Sequence, residues 1–285
     1  MDFEAARAAV AVTFLLIASF FDLFNRKNVP IWVPGGMLIT GGILDLATGD
    51  VSLILTTAAT AGAIFSIGYL IFRIGQIGGA DVLVFTALAL LLPSGTNTLL
   101  GGPEPMLPYP PILPILVVSG LLGMVGLALR YIPIIGRRLL SGKLRPSAGK
   151  ALMYFIAIVV YSLALAALLA YNKFSPFQAA AILLLVLLAG FLTMFRDEIS
   201  ASMVEWVPLG AVDDEDVIQL SLLSPALVKR LKLQPVLTPQ EVEKLKKTGL
   251  HLFPVFKGMP AFLPYVLLAT LLFLAFGDPL TLFLI

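Results

Sequence analysis

The chain has 285 residues, of which 59% are hydrophobic and 13% charged, with a mean hydropathy of +0.99 and a formal net charge of +2. Soluble domains carry roughly 45–50% apolar and about 25% charged residues, so this composition excludes an ordinary soluble protein and indicates a polytopic membrane protein. No cysteine is present, which excludes disulfides, thiolate catalysis and Cys-ligated zinc; the single histidine, His251, argues against a His-based triad or a His-rich metal site, and no basic patch suggests nucleic acid.

The N-terminus, MDFEAARAAV, is acidic and lacks an A-x-A cleavage site, so the first apolar run is expected to be a retained spanning helix. A spanning helix needs about 20 apolar residues. The runs 5–22, 31–49, 51–73, 81–93, 112–133, 151–171, 177–195 and 260–277 predict eight membrane helices. The fourth is short, roughly 20 Å at 1.5 Å per residue. It either continues through 94–100 or begins below the membrane surface, which would sink Asp81 into the headgroup region. With the N-terminus outside, all Lys and Arg but Arg7 and Lys173 fall on the cytoplasmic side, as the positive-inside rule requires. The expected protein is a multi-pass component of the cell membrane.

Three parts follow from this reading. Residues 1–195 form a membrane domain of seven helices, 196–258 a small cytoplasmic α+β module, and 259–285 a final helix with its tail. In the module, Asp213, Asp214, Glu215 and Asp216 make an acidic knot, whose ordinary reading is a solvated loop rather than a metal site. TPQEVEKLKK at 238–247 predicts a helix with Thr238 as N-cap and Glu241 at the third position, a capping box.

An ionisable side chain in a membrane segment marks a candidate functional site, because burying it is expensive. Asp22, Asp45 and Asp81 qualify. Asp45 lies near the outer end of the second helix, where a wet interfacial position explains it. Asp22 ends the first helix and Asp81 begins the fourth, so both reach the cytoplasmic face. Two carboxyl groups that share a proton can act as base and acid on a scissile carbonyl. Gly78 and Gly79 present no side chain to obstruct a substrate backbone. The plain structural alternative is that GGA is a tight turn, Asp81 a helix N-cap and Asp22 a partner of Arg26. By the fields of their own helix ends, Asp81 would be the base and Asp22 the acid.

GGAD at 78–81 resembles the GxGD motif of membrane-embedded aspartyl proteases, and DLFNRKNVP at 22–30 resembles the first-aspartate motif of their prepilin peptidase branch. The whole is similar to archaeal type IV prepilin peptidases, including preflagellin peptidases. Two features depart from the pattern: the third motif position is Ala80 rather than Gly, and the loop from Asp22 to Pro30 is a residue longer. The resemblance implies catalytic Asp22 and Asp81, no cofactor, and a substrate that is a type IV pilin-like or flagellin precursor with a basic leader and an apolar helix, met in membrane lipid. Gly78, Gly79 and Ala80 would line the substrate path, and the acidic Asp213, Asp214, Glu215 and Asp216 would receive the basic leader. The paired cysteines and preceding module of bacterial methylating relatives are missing, so cleavage without methylation is expected. Two other readings compete. A transporter could use Asp22 and Asp81 as proton or cation ligands, although such ligands tend to sit near the midplane. A presenilin-like protease would need its PAL motif in the membrane, whereas Pro225, Ala226 and Leu227 lie in the soluble module.

Overall fold

The computed structural model describes residues 3–25, 29–93, 109–144, 147–171, 175–212, 216–246 and 250–279. The helices are α1 (Phe3–Phe24), α2 (Trp32–Thr48), α3 (Val51–Arg73), α4 (Gly79–Leu91), α5 (Ile112–Leu140), α6 (Ala148–Ala170), α7 (Pro176–Met194), α8 (Arg196–Met203), α9 (Pro225–Leu231), α10 (Pro239–Lys246) and α11 (Leu263–Phe276). Two strands, β1 (Glu205–Pro208) and β2 (Leu252–Val255), complete the regular structure. Every apolar run read from the sequence is a helix. Five of them, α1, α3, α5, α6 and α7, are long and apolar enough to cross a membrane, while α4 and α11 are shorter apolar helices. The protein is a polytopic helical membrane protein with a small sheet-containing module.

The chain divides into two compact units, Met1–Gly120 with Val204–Ile285, and Leu121–Met203. In the first, α4 is packed between α2 and α3, and α1 packs against α2 and α11. α4 is apolar nearly all round, and a helix of that kind belongs inside; Val82, Val84, Phe85, Ala87, Leu88, Ala89 and Leu91 are all buried. Gly68 of α3 makes the close approach possible. A Cβ there would stand 2.8 Å from a methyl of Val82, directly after Asp81.

The module of this unit is built on β1 and β2, antiparallel with Glu205 opposite Val255 and Pro208 opposite Leu252. A further extended stretch bridges Val217 to Val236 and Ile218 to Val255. Ile218, Leu223, Leu233, Leu237, Leu245, Phe253 and Val255 form its core. The helix expected from TPQEVEKLKK is α10, but only half of the capping box forms. Glu241 N donates to Thr238 Oγ1 at 3.4 Å. The buried Glu241 carboxylate instead accepts from Gln234 N at 2.9 Å and from Lys244 Nζ at 2.9 Å. A tertiary partner has taken the place of the local one.

In the second unit, Tyr131 and Ile135 of α5 pack with Phe195 and with Ile199 of α8. α8 belongs with these helices, so the compact module of the first unit starts at Val204. Tyr154 of α6 packs directly against Gly190 of α7 and donates its hydroxyl to Leu187 O at 2.8 Å. Lys150 Nζ meets Asp197 Oδ2 at 2.5 Å on the surface of this unit.

Candidate active site

Asp22 occupies the last turn of α1 and is 7% exposed. Its Oδ2 accepts two backbone hydrogen bonds, from Phe262 N at 2.7 Å and Leu263 N at 2.9 Å. Helix N-termini leave N–H groups that the helix itself cannot satisfy. Phe262 is the N-cap of α11 and has no side-chain capping bond of its own. Asp22 therefore supplies from α1 the acceptor that a Ser or Asp would normally supply locally. A carboxylate oxygen held by two N–H donors is fixed in position.

Asp81 is the third residue of α4 and is half-buried. Its Oδ2 accepts the N–H of Gly78, the N-cap, at 3.1 Å. A Cβ on residue 78 would stand 3.0 Å from that same oxygen, so glycine lets the carboxylate fold back onto its own helix end. Gly79 and Ala80 are the first two helical residues. The segment 78–81 is thus an extended Gly78 followed by a helical turn, rather than a tight turn, and Asp81 is an N3 residue rather than the N-cap.

Asp22 and Asp81 come to the same end of the packed helices α1 and α4. Asp22 lies within Coulombic range of Asp81. Phe85, one turn along α4 from Asp81, packs against the ring of Phe262 with centroids 6.0 Å apart. The N–H of that same Phe262 is held by Asp22. The start of α11 thus contacts both aspartate-bearing helices. The sequence reading missed Phe262 and Leu263 as partners of Asp22. Pro264 in the first turn of the last helix was the available signal, since Pro favours the first helical turn.

The positive end of α11 also changes the acid–base argument. Asp22 faces this helix start as well as the C-terminus of its own helix, so the fields of the parent helices alone do not assign the acid and the base.

Asp45 is not in a wet interfacial position. It is 3% exposed and paired with the equally buried Arg7, Nη1 to Oδ1 at 2.7 Å. Thr57 Oγ1 donates to its other oxygen at 2.8 Å, and Arg7 Nη1 also reaches Leu90 O at 2.9 Å. Burial forces such pairing, since an uncompensated charge inside is costly. This cluster joins α1, α2, α3 and α4 and lies at the ends of α1 and α4 opposite those that carry Asp22 and Asp81.

Of the acidic knot, Asp213, Asp214 and Glu215 lie outside the described residues, as does Arg26. Asp216 is engaged by Lys257, Nζ to Oδ2 at 2.6 Å. Pro225, Ala226 and Leu227 form the first turn of α9, capped by Ser224 Oγ, which accepts from Leu227 N at 3.3 Å. Among the described residues, no three His, Asp or Glu gather as a metal site would require.

Comparison with known proteins bears on the segment that carries both aspartates. Residues 9–129 match the type IV leader peptidase family. Over 207 residues the chain is 27% identical to prepilin peptidase EppA of Methanothermobacter thermautotrophicus, a match covering 68% of this chain and 52% of that protein. The chain thus spans about half the length of this relative. No solved structure matches the chain. The part of the chain that is similar to the type IV leader peptidase family thus contains both Asp22 and Asp81.

Proposed function

We propose that this protein is a membrane-embedded aspartyl endopeptidase that removes the basic leader of type IV pilin-like or archaeal flagellin precursors at the cytoplasmic membrane face. The observation that carries the reading is that Asp22 and Asp81, carboxylates from distant parts of the chain, stand at the same end of the packed helices α1 and α4, near enough for their charges to act on each other. In this mechanism one carboxylate takes a proton from water as the water oxygen bonds to the scissile carbonyl carbon. The other carboxyl gives its proton to the carbonyl oxygen. The C–N bond then breaks, and the proton taken from water goes to the leaving amine. Gly78, Gly79 and Ala80 keep the approach to Asp81 free of bulk. A precursor with a short basic leader before an apolar helix presents its cleavage point at the depth where these helices end.

The positive-inside distribution of Lys and Arg supports the cytoplasmic placement. Both aspartates stand at helix ends rather than on broken midplane helices, which favours the peptidase over a transporter. The test is incubation of the detergent-purified protein with candidate pilin and flagellin precursors, followed by mass spectrometry. Cleavage at one site after the leader, lost in Asp22→Asn and in Asp81→Asn, is the expected result. Retained cleavage in either variant overturns the aspartyl mechanism.

A further inference from the structure

The module that starts at Val204 touches the chain on both sides of the carboxylate pair. On the Asp81 side, the turn between α3 and α4 passes through Gly75 in the left-handed conformation, φ 77°. A Cβ there would lie 3.1 Å from a methyl of Val217 and 3.3 Å from Pro235, so the module rests directly on this turn. Arg73 adds a bond from Nη2 to Gln234 Oε1 at 3.3 Å. On the Asp22 side, Phe256 N donates to Val217 O at 2.9 Å. Lys257 Nζ then meets Asp216 Oδ2 at 2.6 Å, with side chains 26% and 15% exposed. The strap 258–261 leads from Lys257 to the N–H groups of Phe262 and Leu263 that hold Asp22. Asp216 and Val217 are consecutive residues. One anchors the strap to Asp22, and the other packs on the turn before Asp81.

We propose that Asp216 and Lys257 are positioning residues: their ion pair fixes the spacing between the turn that precedes Asp81 and the strap that holds Asp22. The consequence for turnover rests on the aspartyl peptidase reading; the spacing itself does not. A shift of about 1 Å in reacting groups can cost about 100-fold in rate, so a pair remote from the chemistry has leverage on it. The partial burial of both side chains leaves the pair less screened than an ion pair in open solvent.

The chain has no cysteine, so Leu23→Cys with Gln76→Cys places two spin labels and no others. Both positions are exposed, Leu23 beside Asp22 and Gln76 in the turn before Asp81. Pulsed electron–electron resonance in detergent then reads the distance between them. Asp216→Asn and Lys257→Gln should each broaden the distance distribution and lower kcat about tenfold, with KM within about twofold. The charge swap Asp216→Lys with Lys257→Asp should restore the narrow distribution and the turnover. Folded single variants with an unchanged distribution and kcat overturn the inference, as does a raised KM with kcat intact, which would make Asp216 a docking residue. Where neither single variant folds, the swap is compared directly with the labelled parent: a narrow distribution supports the ion pair and any other result overturns it. Failure of the peptidase reading shows separately, because the unsubstituted chain would then cleave no precursor while the distance measurement needs none.

Discussion

The N–H of Phe262 donates to Asp22 Oδ2 at 2.7 Å across 240 residues of sequence, so the end of the first helix caps the start of the last. Asp22 consequently has a structural task as well as its proposed chemical one, and the two can be separated. Asp22→Asn keeps an oxygen that can accept from Phe262 and Leu263 and should stay folded while losing cleavage. Asp22→Ala removes the acceptor too, and should lose about 0.5–2 kcal/mol of stability in addition, the usual cost of deleting a helix cap. Thermal unfolding in detergent alongside the cleavage assay reads both effects. Asp81→Asn should abolish cleavage, and the double Asn variant should be no worse than either single, as for groups that act as a unit.

Gly78 has an ordinary extended backbone, φ −74° and ψ 150°, so an alanine there meets no conformational strain. What it meets is Asp81, whose Oδ2 would lie 3.0 Å from the new Cβ. Gly78→Ala should therefore fold normally and lower kcat roughly tenfold by displacing the carboxylate, with KM little changed. Steady-state kinetics on one precursor checks this, and an undiminished kcat would mean that the glycine is not needed for the placement of Asp81.

Arg7 and Asp45 form a buried pair, and among the described residues the buried Arg7 Nη2 has no hydrogen-bond partner. Asp45→Asn leaves the guanidinium charge uncompensated and should cost about 3–5 kcal/mol. Replacing both with leucine removes the charge entirely and should recover most of that loss. Melting temperatures of the two variants in the same detergent decide the matter: equal destabilisation would show that the ion pair is not the source.

Asp213, Asp214 and Glu215 are the part of the acidic knot that can be neutralised without touching Asp216 and its bond to Lys257. If these three receive a basic leader, the triple amide variant should raise KM several-fold at low salt and leave kcat alone. The effect should shrink as salt shortens the screening length from about 30 Å at 0.01 M to about 10 Å at 0.1 M. Unchanged kinetics at low ionic strength would remove these residues from substrate docking.

The sequence by itself determined the membrane class and the positions of the apolar helices, because composition and unbroken hydrophobic length are local properties that need no partner. It also singled out Asp22 and Asp81 as carboxylates at membrane-segment ends, since the cost of burying a charge is visible in one dimension. The tertiary structure decided what each polar group faces. Asp45 looked interfacial until α1 brought Arg7 beside it, and Glu241 looked like a local cap until Gln234 claimed its carboxylate. Asp22 gained the N–H groups of α11 from the far end of the chain, and Asp216 gained Lys257. Hydrogen bonds and ion pairs act over about 3 Å in space whatever the separation along the chain. Helical periodicity predicts neighbours only three or four residues apart, so these contacts had no signature until the fold had formed.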